Sequence, residues 1–420
     1  MAKIFVQIAA YRDPELPFTI ADLFSKAKYS DEIRVGICNQ GTPSDWRHEI
    51  LADDRVRQVK VPFHESMGTC WARSQVQKLY EGEEFTLQLD SHHRFVQDWD
   101  SILTESLQKI DCAKPLFTAY LPHYEGYGEE TVAAQSGPGK QVFSKFDEDG
   151  IVHFLASGFE PGEGIFPVKA RFTSGHFIFG PGKFVEEVPY DPVIYFTGEE
   201  ITMAVRAYTH GYDLFHPTKA VAYHKYGRAA DRRHWDDHSP AERPNAESHW
   251  ADYQAKSVGR IHAVLENSPS VPGPFRLGTT RSLEDYERYA GIRFRRRLVH
   301  QNTVFGLEPP ATRCWNWDEA DRPCSERSGK LQMNTEEIAA DDDVDFWYLG
   351  LHDANGLELL RLDLTDPQYT KGRRTDVQVH FWSHQPPQTY TLIPHRTSGE
   401  WGDRLVGTIT ERNFEGILVS

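Results

Sequence analysis

Asp90, Ser91 and His92 follow directly on an apolar run at residues 85–89, with His93, Arg94 and Phe95 behind them. A carboxylate and an imidazole two residues apart can aim at one point where a strand breaks into a loop. Such a pair suits a divalent ion, Mn2+ above all, which accepts oxygen and nitrogen ligands alike. Alone, Asp-x-His is weak, because any polar turn at a strand end can carry it. A second block lies further on: Tyr195-Phe196-Thr197-Gly198-Glu199-Glu200, then Arg206, Gly211-Tyr212, Pro217 and His224. Adjacent acids opening a helix equally answer its macrodipole, and His224 taken alone equally fits a surface position at a strand end.

The elements that must position these groups follow a regular order. Residues 3–10 form an unbroken apolar run, as expected of a strand buried on both faces. Leu16, Ile20, Leu23, Phe24 and Ala27 then share one helical stripe. Strands are expected at residues 33–38, 56–61 and 85–89, and helices at 71–80 and 99–110. This alternation predicts an α/β sheet with helices on both faces. Ligands of such sheets sit beyond the carboxyl ends of the strands. Tyr11-Arg12-Asp13, Asn39-Gln40 and Asp90-Ser91-His92-His93-Arg94 should therefore lie near one another.

From about Pro122 to Pro167 the chain is rich in Gly, Pro and charge, a texture expected of functional loops or a lid. Regular structure is expected again at residues 170–179, and a helix at 199–209. Residues 301–343 are polar and irregular and are expected to be a linker. Beyond them, short runs at 345–351, 357–364, 376–382 and 389–393 predict a small all-β domain, residues 344–420, after a catalytic domain over residues 1–300.

Composition narrows the partners. The net charge of −16 argues against a nucleic-acid grip, and the arginines at 293, 295, 296 and 297 read as a solvated or interdomain face. No segment approaches the ~20 apolar residues of a membrane helix. Five scattered cysteines suit a reducing compartment, so a cytoplasmic location is expected. His234 and His238 stand four apart around two aspartates, but the arginines nearby favour a solvated loop over a zinc site. Gly158, Gly162 and Gly164 lack the flanking strand and helix of a phosphate cradle and suggest a mobile loop over the ligand. Ser174-Gly175-His176-Phe177 suggests a wall of the acceptor cleft. Trp315, Trp317, Trp347 and Trp382 fit β-domain core better than a sugar-binding surface.

Taken in order, five blocks resemble a known family. They are Ile8 to Leu16 (IAAYRDPEL), Gly68 to Arg73 (GTCWAR), Gln88 to Phe95 (QLDSHHRF), Tyr190 to Glu200, and Gly278 to Glu287 (GTTRSLEDYE). The first 300 or so residues resemble the cytosolic N-acetylglucosaminyltransferases that modify hydroxyproline, glycosyltransferase family 60. They resemble the polypeptide N-acetylgalactosaminyltransferases more loosely.

The resemblance implies a GT-A fold, a Rossmann-like mixed sheet flanked by helices, and retaining transfer from UDP-GlcNAc. It implies Asp90, His92 and His224 as ligands of Mn2+ or Mg2+. Ala10, Tyr11, Arg12, Asp13, Asn39, Arg73, Asp90 and Ser91 fall where the family binds the nucleotide sugar. Glu199 and Glu200 fall where acids border the sugar and the acceptor. The chain departs from the family in its extra β domain and in lacking an element to hold a hydroxyproline peptide. The acceptor is therefore expected to be a hydroxyl of a protein, a glycan or a metabolite. Rival readings are a hexosyltransferase using another UDP-sugar, a non-catalytic carbohydrate-binding protein, and a metallohydrolase using the same ligands on water.

Overall fold

The N-terminal apolar run forms β1 (Ile4–Tyr11), whose alternate side chains serve two different cores. Val6 and Ile8 pack with Leu16, Ile20 and Leu23 of α1 (Leu16–Lys26) on one face, and Phe5 with Ala72 and Val76 on the other. A strand covered on both faces has no side on which to place polar residues, which is why the run is unbroken.

In the computed structural model the described residues are 3–134, 136–159, 167–227, 231–310, 323–333, 343–370 and 375–417. The chain divides into two compact units, residues 1–295 with 306–313, and residues 296–305 with 314–420. After α1, the first unit continues with β2 (Ile33–Gly41), β3 (Val56–Pro62), α2 (Thr69–Gln77), β4 (Phe85–Asp90), β5 (His93–Phe95), α3 (Trp99–Gln108) and β6 (Pro115–Thr118). Two hairpins follow, β7 (Tyr124–Tyr127) with β8 (Glu130–Ala133), and β9 (Lys140–Phe146) with β10 (Val152–Ser157). The unit is completed by β11 (Val168–Lys169), β12 (Phe177–Pro181), α4 (Phe184–Glu187), α5 (Glu199–Thr209), β13 (Asp213–His216), β14 (Ala222–His224), α6 (His234–Asp237), α7 (Trp250–Leu265) and α8 (Leu283–Ala290).

Eight strands make one mixed sheet in the order β11-β13-β6-β12-β4-β1-β2-β3. The block β4-β1-β2-β3 is parallel, and β12 runs antiparallel to both β4 and β6. This is the Rossmann-like α/β architecture expected. The register pairs Ala9 with Asp90 and Tyr11 with Gln40, so the first loop and the Asp90 loop leave the sheet at the same edge. The stretch expected as loops or a lid contains the two hairpins. Of residues 170–179, only those from Phe177 onward are strand, and Ser174–His176 form the turn before it.

The second unit begins with β15 (Leu298–His300) and continues with β16 (Pro323–Gln332), β17 (Val344–His352), β18 (Glu358–Leu364), β19 (Asp376–Ser383), β20 (Thr389–Arg396), β21 (Leu405–Thr408) and β22 (Phe414–Ile417). β15, β19 and β22 all pair with β16 in one sheet, and a second sheet has the order β18-β17-β20-β21. Leu331, Val344, Trp347, Leu349, Val379 and Leu392 belong to the core of this unit.

β16 lies inside the stretch expected to be a linker. Its inward positions hold Cys324, Arg327, Gly329 and Leu331, so the alternation that marks a strand was masked. Arg327 is buried because Ser383 Oγ accepts its Nε–H at 2.7 Å. Trp347 and Trp382 are buried, as core residues should be. Trp315, Trp317 and Cys314 lie outside the described residues, as do Gly162 and Gly164. No helix among the described residues is long and apolar enough to cross a membrane.

Two glycines set where the helices of interest begin. Gly68 precedes α2 with φ +105°, and a Cβ there would lie 2.7 Å from the Tyr195 carbonyl. Gly198 precedes α5 with φ +86°, and a Cβ would lie 2.4 Å from Ile261 Cδ1. Gly198→Ala therefore combines a backbone conformation unfavourable to L-residues with a clash. It should destabilise the protein by about 1–3 kcal/mol in a denaturant titration, and should displace the two glutamates that open α5.

Candidate active site

At the carboxyl end of β4, Asp90 is the last strand residue and Ser91-His92 form the turn. The chain returns at once as β5, and β14 pairs antiparallel with it: His93 with His224, Arg94 with Tyr223, Phe95 with Ala222. Lys225 N–H donates to the His92 carbonyl at 3.2 Å, extending the pairing past the last bridge, and His224 N–H donates to the Pro122 carbonyl of a third segment at 2.9 Å. This short ladder carries His224 across more than a hundred residues of sequence to Asp90.

His224 Nε2 stands 3.4 Å from Asp90 Oδ2, and His92 Nε2 stands 3.9 Å from the same oxygen. One ligand atom from each of Asp90, His92 and His224 lies within 4.8 Å of the others. Each side chain is aimed by a neighbour. Asp13, itself buried, accepts from His92 Nδ1 at 2.8 Å and from Ser91 Oγ at 2.5 Å, which leaves His92 Nε2 facing Asp90. Carboxylate-backed imidazoles of this kind are how proteins fix the tautomer of a metal-binding histidine. Arg73 Nη2 donates to Asp90 Oδ1 at 2.8 Å, turning Oδ2 to the histidines. Burial opposes ionisation of Asp90, but its hydrogen bond with His224 and the charge of Arg73 hold its carboxyl well below the usual range. One carboxylate oxygen and two imidazole nitrogens from separate backbone segments fit a divalent ion such as Mn2+.

The two acids of α5 have different surroundings. Glu199 is buried in an ion pair with Arg73 Nη1, and Tyr190 OH donates to the same Oε1 at 2.9 Å. Glu200 Oε1 accepts the Gly175 N–H at 2.8 Å. Burial, partly offset by that bond, pushes the Glu200 carboxyl up to about 8.

These groups line a cleft of about 460 Å³, a size typical of small-molecule sites. Tyr11, Arg73, Asp90, Ser91, His92, Glu199, Glu200 and His224 border it, as do Gly175 and His176. Ala10, Arg12, Asp13 and Asn39 do not. Asn39 turns its amide towards the Asp45 carbonyl and Gln58, and its strand neighbour Gln40 faces the cleft instead, because successive strand residues point to opposite faces.

Sequence reasoning missed the segment around α6. His234, Asp237 and His238 are buried, contrary to the solvated loop expected. Asp237 accepts from Tyr11 OH and Arg12 Nη1, each at 2.7 Å, and from Arg232, so the local charges are spent on one another. His238 Nδ1 meets Tyr195 OH at 2.9 Å, and His234 lies edge-on to Tyr195. The density of rings and opposite charges was the available signal. Arg12 has φ +46°, a conformation this ion pair helps to hold. The basic run further on is partly spent too, since Arg293 pairs with Glu287.

The model of the Glycosyltransferase (GlcNAc) family matches residues 3–48 and 41–296. The chain belongs to that family. Its first unit carries the Rossmann-like mixed sheet described above. No curated protein matches the sequence. Solved structures similar to it include GalNAc-T7 with UDP, GalNAc and Mn2+, at 13% identity and TM-score 0.47, covering 68% of this chain and 54% of that one. The chain thus spans about half the length of GalNAc-T7. TarS 1–349 of S. aureus with UDP-GlcNAc is similar at 14% identity and TM-score 0.36, covering 62% and 72%. The mannosyltransferase PcManGT of Pyrobaculum calidifontis with GDP-Man and Mn2+ is similar at 12% identity and TM-score 0.37, covering 66% and 67%.

The raised Glu200 carboxyl has a consequence for stability. The folded protein keeps a proton there that the unfolded chain, with an ordinary value of 4.5, releases earlier. Its favourable contribution is complete below 4.5 and is lost as pH rises to about 8. In thermal melts at pH 5, 7 and 9, Glu200→Gln should gain stability relative to wild type from pH 5 to pH 7 and again to pH 9.

Proposed function

We propose that the protein is a retaining, metal-dependent transferase that moves N-acetylglucosamine from UDP-GlcNAc to a hydroxyl of a protein or glycan. The observation that carries this reading is the convergence of Asp90, His92 and His224 on a nucleotide-sugar-sized cleft in a chain of the GlcNAc glycosyltransferase family.

The three side chains would hold Mn2+ or Mg2+, which when bound offsets the negative charge gathering on a leaving diphosphate. The chain's own residues do the remaining work. Asp13 and Arg73 keep His92 and Asp90 in their orientations. Tyr11 borders the nucleotide end of the cleft, tied back to Asp237. Arg12 braces that loop from behind, pairing with Asp237 and stacking on Phe63. In the transfer, the acceptor oxygen bonds to the anomeric carbon as the bond from that carbon to the β-phosphate oxygen breaks. The departing phosphate oxygen takes the hydroxyl proton, and the cleft holds the reactants in register.

The two carboxyls support same-face attack over a covalent glycosyl-enzyme. A nucleophilic carboxylate must be ionised and free to approach. Glu199 is engaged by Arg73 and Tyr190, and Glu200 is largely protonated near pH 7. Glu199 then serves to hold Arg73 and to place negative charge near the sugar ring. Glu200 offers an O–H donor to a sugar or acceptor hydroxyl. An open rim of half-exposed aromatic rings, Phe196 and Tyr226, suits the C–H faces of a glycan or the side chains of a protein acceptor.

Asp90→Ala and His224→Ala should each weaken Mn2+ binding at least about tenfold and abolish sugar transfer, as read by titration of free Mn2+ and by UDP release. Unchanged metal affinity would remove the assigned site. In a panel of nucleotide sugars, UDP-GlcNAc should release UDP fastest, and only with an acceptor present. NMR of the product should show the α-anomer of the donor preserved. Release indifferent to acceptor would point to hydrolysis, and a β-product to inversion.

A further inference from the structure

His92 is oriented by a hydrogen bond from Nδ1 to Asp13. A different device bears on His224, and it is a stack of rings. His176 lies face to face with His224, centroids 4.3 Å apart and planes 16° apart. Tyr120 also stacks on His176, at 5.4 Å and 18°. Tyr226 closes the open side, edge-on to His224 at 4.4 Å and to His176 at 5.8 Å.

The His176 ring is itself held at both nitrogens. Leu121 N–H donates to His176 Nε2 at 3.2 Å, and His176 Nδ1 meets Ser174 Oγ at 3.1 Å. Because a backbone N–H can only donate, Nε2 must offer a lone pair, and the ring proton sits on Nδ1, directed at Ser174. Ser174 is in turn anchored, its N–H donating to Thr118 Oγ1 at 2.7 Å just beyond the pairing of β6 with β12. The position of the ring is therefore set by its ties to the sheet.

We propose that His176 is a positioning residue for the metal centre: its ring, locked to the sheet, fixes the plane of His224 so that Nε2 points at Asp90 Oδ2. This rests on the metal reading given above and adds a residue outside the ligand set. A ring rotating freely about its Cβ–Cγ bond would sweep Nε2 away from the 3.4 Å approach to Asp90. A flat neighbour on one face and Tyr226 on an edge leave one plane.

The test is Mn2+ binding by the full chain, followed by the electron paramagnetic resonance of free Mn2+ with and without UDP, with melting temperature measured on each variant. His176→Ala should weaken Mn2+ binding about tenfold or more, the effect usual for groups that orient metal ligands. His176→Phe, which restores a flat ring without its hydrogen bonds, should recover affinity to within about threefold of wild type. Wild-type affinity in His176→Ala overturns the proposal. So does a His176→Phe protein that melts like wild type yet binds as weakly as His176→Ala. If wild type takes up no Mn2+, or Asp90→Ala binds it unchanged, the metal reading itself falls. If Asp90→Ala abolishes uptake while His176→Ala retains it, only the role of His176 falls.

Discussion

The three-residue ladder between β5 and β14 is the constraint on which the candidate site depends. Asp90 and His92 are neighbours by sequence, and any strand end could present them. His224 comes to them only because its backbone is hydrogen-bonded alongside His93 and its strand continues to the His92 carbonyl. In the α/β sheet, β4 sits between β1 and β12, so the end from which Asp90 emerges is hydrogen-bonded on both sides. The site is thus a short buried turn clamped between a large sheet and a small one.

Around that clamp, the carboxylates of Asp13, Asp90 and Glu199 each meet a charged or hydrogen-bonding partner. Arg73 reaches both Asp90 and Glu199, and Asp13 is satisfied by His92 and Ser91. Arg73 thus stands between two acids, and over the whole cleft Arg73, Lys225, Arg232 and Arg233 balance Asp90, Glu199, Glu200 and Asp231. A diphosphate brought in with a divalent ion would meet Arg73, Lys225, Arg232 and Arg233 on the lining of the cleft, so the acidity of the chain as a whole does not oppose it.

The aromatic content, conspicuous in the composition, has three distinct uses. Rings such as Phe117, Phe177 and Phe179 fill the sheet core, and Trp347 and Trp382 fill the second unit. Tyr195, Tyr253, His234 and His238 pack the α6 segment against α7. Tyr120, His176, His224 and Tyr226 form the stack at the ligand cluster. Composition alone cannot separate these uses, because each ring is equally apolar wherever it ends up.

What the sequence by itself determined was whatever a local pattern could encode. The continuous apolar run of β1, the stripe of α1 and the glycine opening α5 each respond to forces acting within a few residues, so the helix at 199–209 was legible to its ends. The blocks around Asp90 and Glu199 were legible as a resemblance. Tertiary structure alone decided the rest. It turned Gln40 rather than Asn39 to the cleft, buried Asp237 among Tyr11, Arg12 and Arg232, and tied Glu199 to Arg73 while burial raised the Glu200 carboxyl to about 8. It also hid β16, whose inward side chains include an arginine that donates to a serine more than fifty residues away. These are long-range pairings, and their energy comes from burying opposite charges and donors together. A one-dimensional pattern records the residues that meet in them, not the meeting.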